Sequence, residues 1–543
     1  MNQDKRQLLV NIPPYMNKHM SKKSQEFVKR IPKKQRALIL QGGGALGAYE
    51  VGVFRAIYDK IAREEGEDNA LGNLFDIVAG ASIGAINAAL LVNFFLNNRN
   101  WRDSPGNLQH FWNKLTAQTW ASIFLNNILL RNFWGFMRVL TNNYIASFES
   151  LRRYLSWREL AYVPFLGSPN LSWTMPVYGS KFLDPFKSFS LRYDFSPLED
   201  LLRESINQLP IQTSFDKEEP RLLLVSVDVQ DCTTAVTFDS YQKFKPPTVK
   251  DKTITGSVSK SDTRQWYSEY GDENNKHIVF HQGIGLEQVL ASCLFPYSSR
   301  HVTMKDEVSG TFRTYWDGAF LSNTPLREVI QHHKDFWLSY FKEKGIEHDE
   351  LGLEKEYDDP SSKYQTTDKK RVPSLEVYIV NLYPSIEKGS SPPKDDDLID
   401  DRMNDIRFHD KTVYDEKVAH MTSDYIDMAR ELIKRLNAAK AQISQRRATK
   451  TKAENGLLNE LEKLLDPGEV LKKLAKTVSR NNEERTYKKL LEGRFDIRVC
   501  RIDREDDKDT ISGKHSDFSS WTIKTLMDSG ERDAIRSFKH CKS

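Results

Sequence analysis

Leu74-Phe75-Asp76-Ile77-Val78-Ala79-Gly80-Ala81-Ser82-Ile83-Gly84-Ala85-Ile86-Asn87 is the stretch on which the reading of this chain turns. Its first six residues form a short, nearly unbroken apolar run, as in a strand buried on both faces of a parallel sheet. Residues 85–94 are rich in Ala and Leu and suit a buried helix. Between the two, Gly80-Ala81-Ser82-Ile83-Gly84 has the G-x-S-x-G form of a sharp strand-to-helix turn. Such a turn lifts a serine hydroxyl above the sheet, and its small flanking residues let strand and helix approach closely. The plain alternative is a tight turn that needs small residues and does no chemistry.

Working outward, Gly42-Gly43-Gly44-Ala45-Leu46-Gly47 follows a second apolar run, residues 37–41, and precedes Val51, Phe54, Ile57, Tyr58 and Ile61 at helical spacing. Gly42, Gly44 and Gly47 satisfy a dinucleotide-binding fingerprint. That reading also needs an acidic residue near the end of the next strand, and here the strand runs into Gly80-Ala81-Ser82. Glycines can instead bare their backbone N–H groups toward an anion, helped by the positive end of the following helix. The tetrahedral intermediate of acyl transfer is such an anion, so the run reads as an oxyanion loop beside a nucleophile.

A nucleophilic serine needs a base. His277, His281, His301, His332 and His333 are available, but none stands in a distinctive context. Asp317 does: in Tyr315-Trp316-Asp317-Gly318-Ala319 it leaves an aromatic strand, and the glycine beside it permits close approach to a neighbouring strand. An ordinary Asp-Gly turn is the alternative there.

In these residues the chain resembles the patatin-like phospholipases, serine lipid acyl hydrolases that work with a Ser-Asp dyad. Leu40-Gln41-Gly42-Gly43-Gly44 resembles the oxyanion loop, Gly80 through Asn87 the nucleophile elbow with its flanking Gly80 and Gly84, and Asp317-Gly318-Ala319 the dyad motif. Residues 222–238 resemble the hairpin after the elbow. Ala291-Ser292-Cys293 with Phe295-Pro296 resembles the segment before the aspartate, and Ser322-Asn323-Thr324-Pro325-Leu326 the segment after it. Residues 377–382 and 495–499 resemble two further strands, and residues 518–535, with Gly530, the closing helix.

The resemblance implies an α/β protein: a patatin-like three-layer α/β/α fold with a mostly parallel central sheet and helical insertions. It implies Ser82 as nucleophile, Asp317 as base, and the amides of Gly42, Gly43 and Gly44 as oxyanion donors. No metal and no cofactor are called for. One departure is Leu46, where many members of the family carry Arg or Lys.

The 543 residues exceed what single cores usually reach, and insertions account for the excess. The expected organisation is a basic, flexible arm over residues 1–36 and one enlarged catalytic domain over 37–540. Within it lie an aromatic helical cap at about 97–195, a charged loop at 342–370 and a helical segment at 387–492. In the last, Val418, Met421, Tyr425, Met428, Leu432 and Leu436 fall near helical spacing, for a long amphipathic helix packed on the sheet or facing a partner, and Asp395-Asp396-Asp397 reads as a solvated acidic turn. The run around Trp120 and Trp134 is interrupted by Asn126, Asn127, Arg131 and Asn132, so it does not span a membrane.

Cys232, Cys293, Cys500 and Cys541 are scattered, with no C-x-x-C pair, which suits a reducing cytoplasm. A formal net charge of +4 gives no reason to expect a nucleic-acid partner. The expected partner is a lipid substrate at a membrane surface, with peripheral contact that the basic arm could assist. The expected activity is carboxylic ester hydrolysis of phospholipid or lysophospholipid type. The alternatives are an α/β-hydrolase with a Ser-His-Asp triad and a non-catalytic lipid-binding protein on the same fold.

Overall fold

The computed structural model describes residues 31–66, 72, 74–116, 167–168, 170–178, 189–231, 235–241, 275–279, 283–305, 311–347, 362–366, 370–383, 392–393, 396–446, 495–505 and 513–541. Most of the basic arm, the aromatic run at 117–166, the centre of the charged loop, Cys232 and His281 lie outside these residues. So do residues 447–494 of the helical segment.

The architecture is α/β. The first three strands of its principal sheet are β1 (Lys34–Leu40), β2 (Ile77–Ala81) and, further along the chain, β6 (Arg221–Asp228), and they run parallel. β2 and β6 are buried at every position and β1 at all but its first. Their unbroken apolar runs therefore have no solvent-facing side to carry polar residues.

The remaining members are β7 (Ala235–Asp239), β8 (Asn275–Val279), β9 (Val302–Lys305), β10 (Phe312–Asp317), β11 (Ser374–Asn381) and β12 (Ile497–Asp503). The nine strands run in the order β12-β11-β1-β2-β6-β10-β9, with β7 and β8 branching from β6. β10 is antiparallel to β6 and to β9, and β7 to β6, so the sheet is mixed; the parallel character expected of it holds for β1, β2 and β6 and for the β7–β8 pair.

Register is what places the site. Leu40 pairs with Gly80, Ala81 with Val225, and Ser226 with Asp317. The parallel strands β1 and β2 end together, and antiparallel β10 delivers its last residue to the same edge of the sheet.

Around the sheet lie α1 (Ala48–Glu65), α2 (Ile83–Asn98), α3 (Ser104–Leu115), α4 (Ser196–Ser205), α5 (Leu286–Cys293), α6 (Leu326–Lys344), α7 (Asp396–Phe408), α8 (Val413–Arg446) and α9 (Ser520–Ser537). α1 and α9 cross where neither can carry a side chain: a Cβ on Gly52 would lie 1.8 Å from the Met527 carbonyl oxygen, and one on Gly530 2.1 Å from that of Tyr49.

Part of the block read as a helical cap is sheet. Residues 104–115 are helical, but β3 (Gly167–Ser168), β4 (Ser172–Tyr178) and β5 (Phe189–Asp194) form a separate three-stranded antiparallel sheet. Ser172-Trp173-Thr174-Met175-Pro176-Val177-Tyr178 alternates with period two and is rich in β-formers, a local signal that the aromatic content of the block obscures.

The long amphipathic helix forms as α8, and Val418, Met421, Tyr425, Met428 and Leu432 are exposed on it. The reading of four single cysteines is corrected, because Cys500 and Cys541 form a disulfide; their spacing of 41 residues carries no sequence signature. Cys293 is a buried free thiol.

By compactness the chain divides into two units. One comprises Met1–Gln35, His332–Leu375 and Val418–Ile497, and the other Arg36–Gln331, Glu376–Lys417 and Arg498–Ser543. Every candidate site residue falls in the second.

Candidate functional site

Ser82 joins β2 to α2 with φ 55° and ψ −127°, a conformation that costs a non-glycine residue about 1–3 kcal/mol. The turn is over-determined by its surroundings. Ser82 N donates to Ser292 O at 3.0 Å, and Ser82 O accepts from Ala85 N at 3.0 Å. Packing allows only glycine at the flanks: a Cβ on Gly80 would lie 2.3 Å from Gly84 O, and one on Gly84 2.3 Å from Leu40 O.

A serine at a helix N-cap usually turns its hydroxyl back onto the first-turn amides. Ser82 makes no such cap. Its Oγ donates to Asp317 Oδ2 at 2.6 Å, within a pair in which the serine is 5% exposed and the aspartate fully buried.

Asp317 caps the short turn Gly318–Phe320, its Oδ1 accepting from Ala319 N at 2.8 Å, which leaves Oδ2 for the serine. Gly318 is needed because a Cβ there would lie 2.2 Å from Val225 O. Burial without a neighbouring cation pushes the Asp317 carboxyl up to about 7 from its ordinary 3.8, against the opposing effect of its hydrogen bonds from Ser82 and Ala319. A carboxyl held there can exchange a proton with a serine near neutral pH.

Gly42, Gly43 and Gly44 lie between β1 and the turn that opens α1. Among the described residues their amides have no hydrogen-bond acceptor. Gly44 has φ +57°, and a Cβ on it would lie 2.2 Å from His515 O. A Cβ on Gly42 would lie 2.5 Å from Asn323 Oδ1 and 2.8 Å from Ser82 Cβ. Gly42→Ala is therefore expected to displace the serine or the loop and to lower turnover of a soluble ester roughly 10²–10³-fold, the scale of a lost oxyanion donor, while leaving the circular dichroism spectrum unchanged. Leu46 is buried in the core.

The loop is held by Gln41 and Asn323, whose motifs are visible in the sequence but whose clamping role is not. Gln41 Nε2 donates to Thr324 Oγ1 at 2.9 Å and to Phe408 O at 3.1 Å, and its Oε1 accepts from Leu382 N and Tyr383 N. Asn323 Nδ2 donates to Gly42 O at 3.1 Å and Phe408 O at 2.9 Å. In a trans peptide the N–H points opposite to the carbonyl, so holding Gly42 O aims the amide of Gly43 away from Asn323.

Phe408 ends α7, a helix that turns acids inward: Asp401 and Asp405 are buried and both form ion pairs with Lys514 Nζ, at 2.8 and 3.1 Å. Beneath the loop, Asn87 Nδ2 donates to Glu50 Oε2 at 2.7 Å and to Gly47 O at 3.1 Å, while its Oδ1 accepts from Trp112 Nε1. Burial pushes the Glu50 carboxyl well up.

Among the described residues no histidine hydrogen-bonds to Ser82 or Asp317. His301 Nδ1 accepts from Trp316 Nε1 at 3.3 Å, and His333 Nε2 pairs with Pro373 O in the other unit. His332 also belongs to that unit, and the His277 side chain lies outside the described residues.

A family model described as patatin-like phospholipase matches residues 38–330, which hold Gly42 to Gly44, Ser82 and Asp317. No curated protein matches the chain in sequence. Among solved structures, the crystal structure of VipD from Legionella pneumophila aligns at 12% identity over 92% of this chain and 68% of that one, with a TM-score of 0.24. At that score the likeness carries no argument.

Proposed function

This chain belongs to the patatin-like phospholipase family, and from that premise we propose that it hydrolyses carboxylic esters of membrane lipids through a Ser82-Asp317 dyad and an acyl-enzyme. The observation that carries the reading is the 2.6 Å hydrogen bond from Ser82 Oγ to the buried Asp317 Oδ2. Ser82 Oγ attacks the ester carbonyl as its proton passes to Asp317. The amides of Gly42, Gly43 and Gly44 take the negative charge that develops on the carbonyl oxygen. Collapse of the tetrahedral intermediate expels the alcohol, which leaves with the proton from Asp317. Water then attacks the acyl-serine with Asp317 again as base, and the fatty acid departs as Ser82 regains its proton.

The substrate we propose is a phospholipid or lysophospholipid met at a membrane surface. No helix among the described residues is long and apolar enough to cross a membrane. Peripheral contact has support of another kind. α7 buries Asp401 and Asp405 and leaves Ile399, Met403 and Ile406, spaced i, i+4 and i+7, 43–59% exposed. Phe320 and Leu321, just past Asp317, are also exposed. Insertion of side chains of this kind contributes on the order of 1 kcal/mol each when half-buried. Ile399→Ser, Met403→Ser and Ile406→Ser together are thus expected to weaken binding to phospholipid vesicles roughly 100-fold, measured by co-sedimentation, with turnover of a soluble ester unchanged.

The activity itself is tested by incubating the purified protein with phosphatidylcholine and phosphatidylglycerol vesicles and following free fatty acid by mass spectrometry. Fatty-acid release by the wild type and none by Ser82→Ala is the expected result. Equal release by both would contradict the proposal.

A further inference from the structure

The side chain of Asn323 is arranged so that only half of it is used. Its Nδ2 faces two acceptors, Gly42 O and Phe408 O. Carbonyl oxygens cannot donate, so this pairing fixes which end of the amide is nitrogen. The other end, Oδ1, is buried and has no hydrogen-bond partner. The residue is 8% exposed, and an orphaned acceptor at such a position carries a desolvation penalty with no return from within the protein.

Its direction is informative. A Cβ on Gly42 would lie 2.5 Å from Asn323 Oδ1 and 2.8 Å from Ser82 Cβ, so the orphaned oxygen and the serine flank the same point. Gln41, the loop's other clamp, uses both ends of its amide. Asn323 thus offers an acceptor on the serine side of the glycine loop.

We propose that Asn323 Oδ1 seats the water that resolves the acyl-enzyme. This rests on the reading of Ser82 as the acylated nucleophile. In the first half-reaction the attacking oxygen is Oγ, already oriented by Asp317, and no second acceptor is required. In the second half-reaction the nucleophile is a free water with two protons and no covalent tether. One O–H donates to Asp317 Oδ2 and is the proton transferred; the other donates to Asn323 Oδ1 and stays on the oxygen. The water oxygen forms the new bond to the acyl carbon, the bond from that carbon to Oγ breaks, Oγ takes the proton from Asp317, and the carboxylic acid leaves. Holding the second O–H fixes the water's approach, so Asn323 acts on deacylation more than on acylation.

The test separates the two half-reactions by stopped-flow turnover of p-nitrophenyl butyrate, with intact-mass detection of the acyl-enzyme. Loss of one hydrogen bond to the water corresponds to about tenfold in rate. Asn323→Leu is expected to slow deacylation by at least that factor more than acylation, so that a burst of nitrophenolate appears and acyl-Ser82 accumulates. Gln41→Leu, which loosens the loop without touching an orphaned acceptor, is expected to slow both steps equally. Asn323→Asp keeps an acceptor at the Oδ1 position and is expected to deacylate faster than Asn323→Leu.

Equal slowing of both steps in Asn323→Leu, matching Gln41→Leu, would overturn the inference and leave Asn323 as a loop clamp alone. So would equal deacylation in the Leu and Asp variants. Undiminished turnover of the ester by Ser82→Ala would overturn the dyad reading itself, and this inference with it.

Discussion

Ser82→Ala is expected to lower ester hydrolysis roughly 10⁶-fold, to whatever the glycine loop and substrate binding alone sustain. The loss is large because the substitution removes the covalent path and not one interaction along it. The fold should survive. The strained turn is held by the Ser82 backbone bonds to Ser292 and Ala85, which alanine keeps. What changes locally is Asp317, whose carboxyl would keep the bond from Ala319 N and lose the one from the serine. With one stabilising donor fewer, its pKa moves further up. Vesicle binding should be unaffected, so co-sedimentation beside a fatty-acid assay separates loss of chemistry from loss of contact.

Asp317→Asn is expected to lower kcat roughly 10⁴-fold and at the same time to stabilise the protein. The asparagine can still accept from Ala319 N through its oxygen and can donate to Ser82 Oγ, which reverses its own role, so the geometry persists while the base is gone. The stability effect follows from burial. The folded-state carboxyl titrates at about 7 and the unfolded one near 3.8. Between these values the unfolded chain ionises and the folded one resists, so wild-type stability falls as pH rises from about 4 to about 7 and is level above it. The full effect is on the order of 4 kcal/mol at most. Urea denaturation at pH 4 and pH 8 should therefore show little difference between wild type and Asp317→Asn at the lower pH and a more stable variant at the higher. In wild type kcat should rise with pH through about 7, because the base must be ionised to accept the serine proton.

The parts of the fold that could be read from sequence are those set by short-range pattern. The apolar runs at 74–79 and 37–41 overlap the buried parallel strands β2 (Ile77–Ala81) and β1 (Lys34–Leu40), and a strand buried on both faces has no alternative to an unbroken apolar run. Asp317-Gly318-Ala319 could be read because a carboxylate leaving a strand needs its next residue to be small, and Gly318 sits against Val225 O.

What could not be read pairs residues far apart in the chain. Asn323 meets Gly42 across 281 positions and Gln41 meets Phe408 across 367, and neither pairing leaves a periodicity. α7 is misleading by composition. Its many aspartates suggest a solvated segment, yet Asp401 and Asp405 are buried because one lysine, Lys514, lies between them, while its isoleucines and methionine face outward. The strands at 172–178 and 189–194 were hidden by aromatic content, and the Cys500–Cys541 disulfide by the lack of any spacing rule for a single distant pair.

The most direct test of an activated Ser82 is reaction with a fluorophosphonate probe followed by peptide mapping, in wild type and in Asp317→Asn. We expect a single adduct on Ser82 that forms rapidly in wild type and much more slowly in the variant. An adduct on another residue, or an unmodified Ser82 in folded protein that hydrolyses lipid, would contradict the dyad.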